Sequence, residues 1–330
     1  MTALFLPSPP VSSFGIGPVT IHYYALCILA GIFLAWWLGQ RRLRARGAEP
    51  GEFDSMMGWA VAAGIVGARA YHVVTDHQLY FGPGRHPADV LRIWNGGLGI
   101  WGAVITGGLA VWVWCRAHRV RFGAVADAVA PALLLAQGVG RLGNWFNQEL
   151  FGRPSTLPWA LEIDPAHRPS GYGQYATFHP TFAYELIWDI GGALLLLWAS
   201  GRFRLGRGKT FTAYVAYYCL GRFFIEALRI DPVNRIGGMR FNNWTSALGF
   251  VLAVGLLCWQ LKRRPGCGPR LDEARDGGGR TGSCPGGGAV ETTGAQVRGR
   301  GPGGAAAAKG PGSSAAGARP DPDEGTTSRS

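Results

Sequence analysis

Three short runs in this chain carry charged and amide side chains inside otherwise apolar sequence. The first is YYCLGRFFIEALRID at 217–231. Tyr218, Arg222, Glu226 and Arg229 follow at intervals of four, four and three residues, which places them on one helix face. The second is GVGRLGNWFNQELFGRP at 138–154, where Arg141, Asn144, Asn147 and Glu149 fall within nine residues and Gln137 lies one turn before Arg141. The third is FHPTFAYELIWD at 178–189, with Tyr184, Glu185 and Asp189 just past a His179-Pro180 start. Arginine forks bind anions that offer two oxygens, and carboxylates can hold such arginines in place. An Arg222–Glu226 pair that only locks helices together is the plainer alternative, but it needs neither Tyr218 nor a third charge. Glu185 and Asp189 sit one turn apart and repel unless a cation lies between them; Arg222 or Arg141 could serve.

Other polar groups are sparser. IHYYALCILAG at 21–31 brings His22, Tyr23 and Tyr24 to interface depth, where an aromatic belt would also explain the tyrosines. GARAYHV at 67–73 holds Arg69 and His72. Asp127 reads as a helix-start or structural carboxylate. WNGGLGIWGAVITGG at 94–108, with Asn95, Gly96, Gly97 and Gly99, allows irregular backbone at membrane depth, which is tolerated where it is buried or lines a cavity. All these clusters are expected to converge on one outward-facing cavity.

The elements that must position them are apolar spans. A crossing helix needs about 20 apolar residues, and seven candidates run near 19–39, 55–75, 97–115, 124–142, 182–200, 210–229 and 243–261. The second and fourth are rich in Gly and Ala, which suits close helix packing in lipid; Pro131 falls within the fourth. Fourteen Lys and Arg occupy one set of loops (Arg41 to Arg46, Arg116 to Arg121, Arg202 to Lys209, Lys262 to Arg264) and six the other (Arg85, Arg92, Arg153, Arg168, Arg235, Arg240). Cytoplasmic loops are the positive ones. The expectation is an all-α polytopic membrane protein with seven transmembrane helices, N-terminus outside and C-terminus cytoplasmic. Residues 1–264 form its catalytic domain, with a small outer cap near 143–181. The basic cluster follows the first apolar run, unlike that of a cleaved signal peptide.

Residues 265–330 are low in complexity and almost without Leu, Ile, Val or Phe, so they read as a disordered cytoplasmic tail. That tail explains a mean hydropathy of only +0.10. The net charge of +12 follows membrane topology and calls for no nucleic-acid partner. Cys27, Cys115, Cys219, Cys258, Cys267 and Cys284 form no CxxC pair or metal-spaced cluster, and they read as small apolar side chains plus two free thiols in the tail. A transporter would also carry buried charges, yet the chain has no internal repeat. A scaffold would not need converging Arg, Asn and Glu.

GRLGNWFNQELFG at 140–152 closely resembles the signature of the bacterial prolipoprotein diacylglyceryl transferases. HPTFAYE at 179–185, GRFFIEALR at 221–229, IHYYA at 21–25 and WNGGLGIWGA at 94–103 resemble further family segments in place and order. The resemblance covers about 15–262. It implies transfer of the diacylglyceryl group of phosphatidylglycerol to the lipobox cysteine of a prolipoprotein signal peptide, at the bacterial cytoplasmic membrane. The thioether product forms as glycerol phosphate leaves, with no metal or organic cofactor. The family's roles carry over to Tyr24, Arg141, Asn144, Glu149, Gly152, Glu185, Tyr218, Arg222 and Glu226. Arg141 and Arg222 are expected to hold the phosphate with Asn144, and Glu185 and Glu226 to position the arginines. One departure stands out. Many members resemble HGGL where this chain has Trp101, Gly102 and Ala103, and Trp101 cannot accept a proton. His22, His179, Glu149 and the phosphate itself are the remaining base candidates.

Overall fold

The computed structural model describes residues 5–17, 19–81, 84–93, 96–263, 266 and 271. Seven helices of 18 to 25 residues dominate it: α1 Tyr23–Arg44, α2 Glu52–Thr75, α4 Ile100–Ala117, α5 Phe122–Phe146, α6 Thr181–Arg202, α7 Lys209–Leu228 and α8 Phe241–Arg263. A short helix, α3 Gln78–Phe81, lies between α2 and α4. Five of the long helices (α1, α4, α5, α6 and α8) are long and apolar enough to cross a membrane. The protein is therefore a mostly helical membrane protein. α2 and α7 match them in length but are not apolar enough to join them, α7 in part because Arg222 and Glu226 interrupt its apolar run.

Three antiparallel strand pairs modify the all-α expectation: β1 Ser13–Ile16 with β2 Val19–His22, β3 Leu161–Glu162 with β4 Thr177–Phe178, and β5 Arg235–Ile236 with β6 Met239–Arg240. The first pair corrects the start of the first span. Residues 19–22 are strand, because β-branched Thr20 and Ile21 favour a pleated surface, and the helix begins at Tyr23.

α5 is the central helix, packed against α1, α6 and α7, while α2 packs on α4 and α8 on α7. Small residues bring backbones together, as lipid-embedded helices require. A Cβ on Gly31 of α1 would come within 2.9 Å of the Ala136 carbonyl oxygen of α5, and one on Gly102 of α4 within 2.2 Å of that of Gly67 in α2. Pro131 is buried within α5 without interrupting it. At the arginine-rich end, Leu43, Phe53, Met56, Trp114 and Val125 join α1, α2, α4 and α5 in one apolar cluster. At the opposite end Phe151, Leu161, Ile163, Phe178 and Phe182 form the core of a cap between α5 and α6.

The proposed tail lies outside the described residues except for Gly266, whose carbonyl accepts from Lys209 Nζ at 2.7 Å, and Leu271, whose N–H donates to Arg46 O at 2.9 Å. Cys267 and Cys284 lie outside them as well; Cys27, Cys115, Cys219 and Cys258 are free thiols.

Asp127 is structural. Its carboxylate accepts the backbone N–H of Gly208 at 2.8 Å and of Phe211 at 3.0 Å, which caps the N-terminus of α7 from across the bundle. Asp127→Ala should remove about 1–2 kcal/mol of stability. A thermal melt in detergent should show the midpoint falling by about 2–4 °C for each kcal/mol lost; an unchanged midpoint would contradict this role.

Candidate active site

The site is built at the cap end by side chains that α5, α6 and α7 turn toward one another. Glu185 on α6 is at its centre. Its Oε2 takes the Nε of Arg141 from α5, and its Oε1 takes Nη1 of Arg222 from α7 at 2.5 Å. Arg222 Nη2 continues to Glu226 Oε2 at 2.7 Å, as the four-residue spacing requires. Glu226 is fully buried and also accepts Arg240 Nε at 2.8 Å and Asn242 Nδ2 at 3.1 Å on its Oε1. Arg229 stands 3.6 Å from Glu226 Oε2 and pairs through Nε with Asp231 at 2.8 Å. Arg240 Nη2 closes the series on Asp231 Oδ2 at 2.9 Å. Glu226 Oε2 meets its guanidiniums off the ideal hydrogen-bond line, and at 2.7 Å the ion pair carries that contact.

The wall from α5 continues through amides. Asn144 Oδ1 lies 3.5 Å from Arg141 Nη1, and its Nδ2 donates to Glu149 Oε1 at 2.9 Å, an oxygen that Asn147 Nδ2 also reaches at 3.2 Å. Glu149 can turn back to its own helix because the chain reverses sharply after Phe146. Gln148 and Leu150 hold φ of 50° and 58°, uncommon for residues with side chains. Gln148 is locked there by two hydrogen bonds to Asp164, 2.6 and 2.9 Å long. Tyr24 of α1 lays its ring where a Cβ on Gly143 would be, 2.5 Å away. Gly152 passes between two backbones. Its N–H donates to His179 O at 2.9 Å, and a Cβ there would lie 2.8 Å from that of His179 and 3.2 Å from Leu228 O.

The structure thus brings together Arg141, Asn144, Glu149, Glu185, Arg222 and Glu226, with Tyr24 and Gly152 packed beside them. Tyr218 lies one turn before Arg222 on α7, within electrostatic reach of both Arg141 and Arg222. Arg141 and Arg222 both pair with Glu185, and both also lie within electrostatic reach of Asp189. One expectation needs correction. Arg69 and His72 do not join the cluster. Arg69 is buried under the loop before α4 and donates to the carbonyls of Asp89, Val90, Gly96 and Gly97 at 2.5–2.9 Å. His72 pairs with Asp76 at 3.1 Å. Arg69 thereby holds the described loop residues on either side of Trp94 and Asn95, which lie outside the described residues.

A family model described as prolipoprotein diacylglyceryl transferase matches residues 11–259. The chain belongs to that family. A protein of Cutibacterium acnes named phosphatidylglycerol–prolipoprotein diacylglyceryl transferase is 56% identical over 268 residues, 81% of this chain and 90% of that one. A second protein of that name, from Streptomyces coelicolor, is 53% identical across 81% of this chain and 84% of its own. One from Corynebacterium glutamicum is 50% identical across 77% and 84%. Trp101, where the resemblance implied a histidine, is 53% exposed on α4, the helix packed on α2.

Arg240, Asp231 and Asn242 escaped the reading of the sequence. Arg240 counted only as a loop charge. Its signal was RIGGMR at 235–240, since a Gly pair between strand residues marks a hairpin. Gly237 and Gly238 take positive φ of 57° and 78°, and the hairpin folds Arg240 back onto Glu226.

Burial raises the Asp231 carboxyl, but Arg229 and Arg240 outweigh it and hold it below the usual carboxylate range. Burial, with Arg153 beside it, lowers His179 below the ordinary imidazole value, so this ring is neutral at pH 7, with Nδ1 3.1 Å from the Tyr184 hydroxyl. A depressed carboxyl contributes stability above its unfolded value of about 3.9 and loses it as pH falls through the folded value. Asp231→Asn should therefore lower the melting temperature at pH 7, and the difference from wild type should shrink as acid protonates Asp231 in the folded protein. A constant offset at every pH would contradict the ion pair.

Proposed function

We propose that this membrane protein transfers the diacylglyceryl group of phosphatidylglycerol to the lipobox cysteine thiol of a prolipoprotein, forming a thioether and releasing glycerol phosphate. Family membership supports the reaction. The observation that carries the mechanism is the buried Glu185 carboxylate bracketed by Arg141 and Arg222. Glu185 takes Nε of Arg141 and Nη1 of Arg222, and Glu226 takes Nη2 of Arg222; the remaining N–H groups, the Nη pair of Arg141 foremost, are left for a second anion. The phosphate of phosphatidylglycerol is that anion. As the glyceryl carbon–oxygen bond breaks, negative charge grows on the leaving oxygen, and fixed cations in a site shielded from water stabilise it strongly. Asn144 adds a donor and is held in turn by Glu149. Glu226 braces Arg222 and is itself braced by Arg240. Tyr24, Tyr218 and Gly152 shape and orient the site.

The cysteine must attack as thiolate, and the arginines lower the cost of that charge. Trp101 removes the histidine many relatives carry at that place. Overall balance sends the thiol proton to the products, because cleavage frees a phosphate oxygen that can accept it. His22, His179 and Glu149 are the protein groups that could relay it.

Seven spans and the bias of fourteen basic residues against six support a cap outside and an arginine-rich end in the cytoplasm. The enzyme then sits in the bacterial cytoplasmic membrane, where both lipid-borne substrates enter sideways, and residues 265–330 form a cytoplasmic tail without a catalytic role. Purified protein given phosphatidylglycerol and a lipobox peptide should add diacylglyceryl mass to the peptide cysteine. Arg222→Lys keeps the charge but loses the fork, and should slow transfer about 10²-fold or more. Near-normal turnover would contradict the phosphate assignment.

A further inference from the structure

Beyond Glu185, one turn deeper in the bundle, stands a carboxylate that the mechanism above does not use. Asp189 of α6 is 2% exposed. A Cβ built on Gly138 of α5 would lie 3.2 Å from its own, so the side chain stands between the two helices. It is within electrostatic reach of Arg141 and Arg222 and of Tyr214, Tyr217 and Tyr218 on α7. None of them bonds to it. Both arginines are engaged by Glu185, Tyr214 shares a 3.1 Å hydrogen bond with Gln137, and Tyr217 donates to Trp188 O at 3.0 Å. Among the described residues Asp189 has neither a hydrogen bond nor an ion pair. Its oxygens are also not among the unpartnered atoms sealed from solvent, which are those of Asp89, Thr210, Glu226 and Gln260. The space beside them therefore admits a hydroxyl-sized group.

A buried carboxylate without donors is costly, and such groups are kept where a ligand supplies the donors. An acyl chain supplies none. A vicinal diol supplies two O–H donors on adjacent carbons, spaced to meet the two oxygens of one carboxylate. A phosphate held by Arg141 and Arg222 carries its polar head within a few bonds of Asp189. We propose that Asp189 receives the hydroxyls of the glycerol head group and so selects phosphatidylglycerol among phospholipids. Tyr218, whose hydroxyl also makes no hydrogen bond among the described residues, lies on the facing helix and completes the polar wall. This assignment rests on the transferase reading given above. A site built to hydrogen-bond a substrate hydroxyl rejects the analogue that lacks it far more strongly than an apolar pocket rejects a missing methylene.

The test uses the full-length protein, a lipobox peptide and two donors with identical acyl chains: phosphatidylglycerol and phosphatidylpropanol, whose head lacks both hydroxyls. Wild type should prefer phosphatidylglycerol by about 10²-fold or more in kcat/KM. Asp189→Ala should reduce that preference to a few-fold, and Asp189→Asn, which keeps the shape and one acceptor, should give an intermediate preference. A residue that merely braced the arginines would lower both donors by the same factor and leave the preference unchanged, which overturns the proposal. A wild-type preference near one overturns it too. Absence of transfer from either donor by wild type would instead overturn the transferase reading, so the two failures are distinct.

Discussion

Two guanidiniums brought from different helices repel each other, and in this bundle a single carboxylate makes their approach possible. Glu185 offers one oxygen to Arg141 and the other to Arg222, so three helices meet through one group. Ion pairs of this kind are weak evidence for stability, since desolvation offsets much of the attraction, but breaking one leaves a buried charge unmatched. Their effect here is geometric. They fix the separation of the two guanidiniums on either side of one carboxylate.

Much of the surrounding structure serves that constraint. α5, α6 and α7 must lie close enough for short side chains to meet. The Trp188 indole therefore occupies the space a Cβ on Gly221 would take, and the Tyr217 ring does the same at Gly192, both at 2.2 Å. Charge alternates outward from the centre, from Arg141 through Glu185, Arg222, Glu226 and Arg240 to Asp231. The last two residues belong to the loop after α7 and its hairpin. The network therefore reaches from the bundle into the cap end, where Gly152 lies against both His179 and Leu228.

The α7 stripe was legible because helical spacing alone aligns Tyr218, Arg222, Glu226 and Arg229. The long helices were legible because apolar length is a coarse and robust signal, and six of the seven begin and end within a few residues of the expected limits. The first began late, since β-branched residues before Tyr23 paired as a hairpin instead. Partner choice was less legible. Spacing put Glu185 and Asp189 on one face but could not say that the arginines would choose the outer of the two. Arg69 resembled a site residue by its depth, yet it spends its donors on loop carbonyls. Arg240 resembled an ordinary loop charge, and only the folded hairpin brings it to Glu226. Each of these misreadings concerns which partner a charge finds across elements, which no periodicity encodes.

The central claim is that Glu185 couples the two arginines for one task. The most direct measurement is the transfer rate from phosphatidylglycerol for Arg141→Lys, Arg222→Lys and the double variant, made once with Glu185 and once with Glu185→Gln. Residues in one network depart from additivity, whereas independent sites add to within about 0.5 kcal/mol. With Glu185 present, the two substitutions should be strongly non-additive, and with Glu185→Gln the non-additivity should largely vanish. Additive losses in both backgrounds would show that the arginines act independently, and would contradict the account.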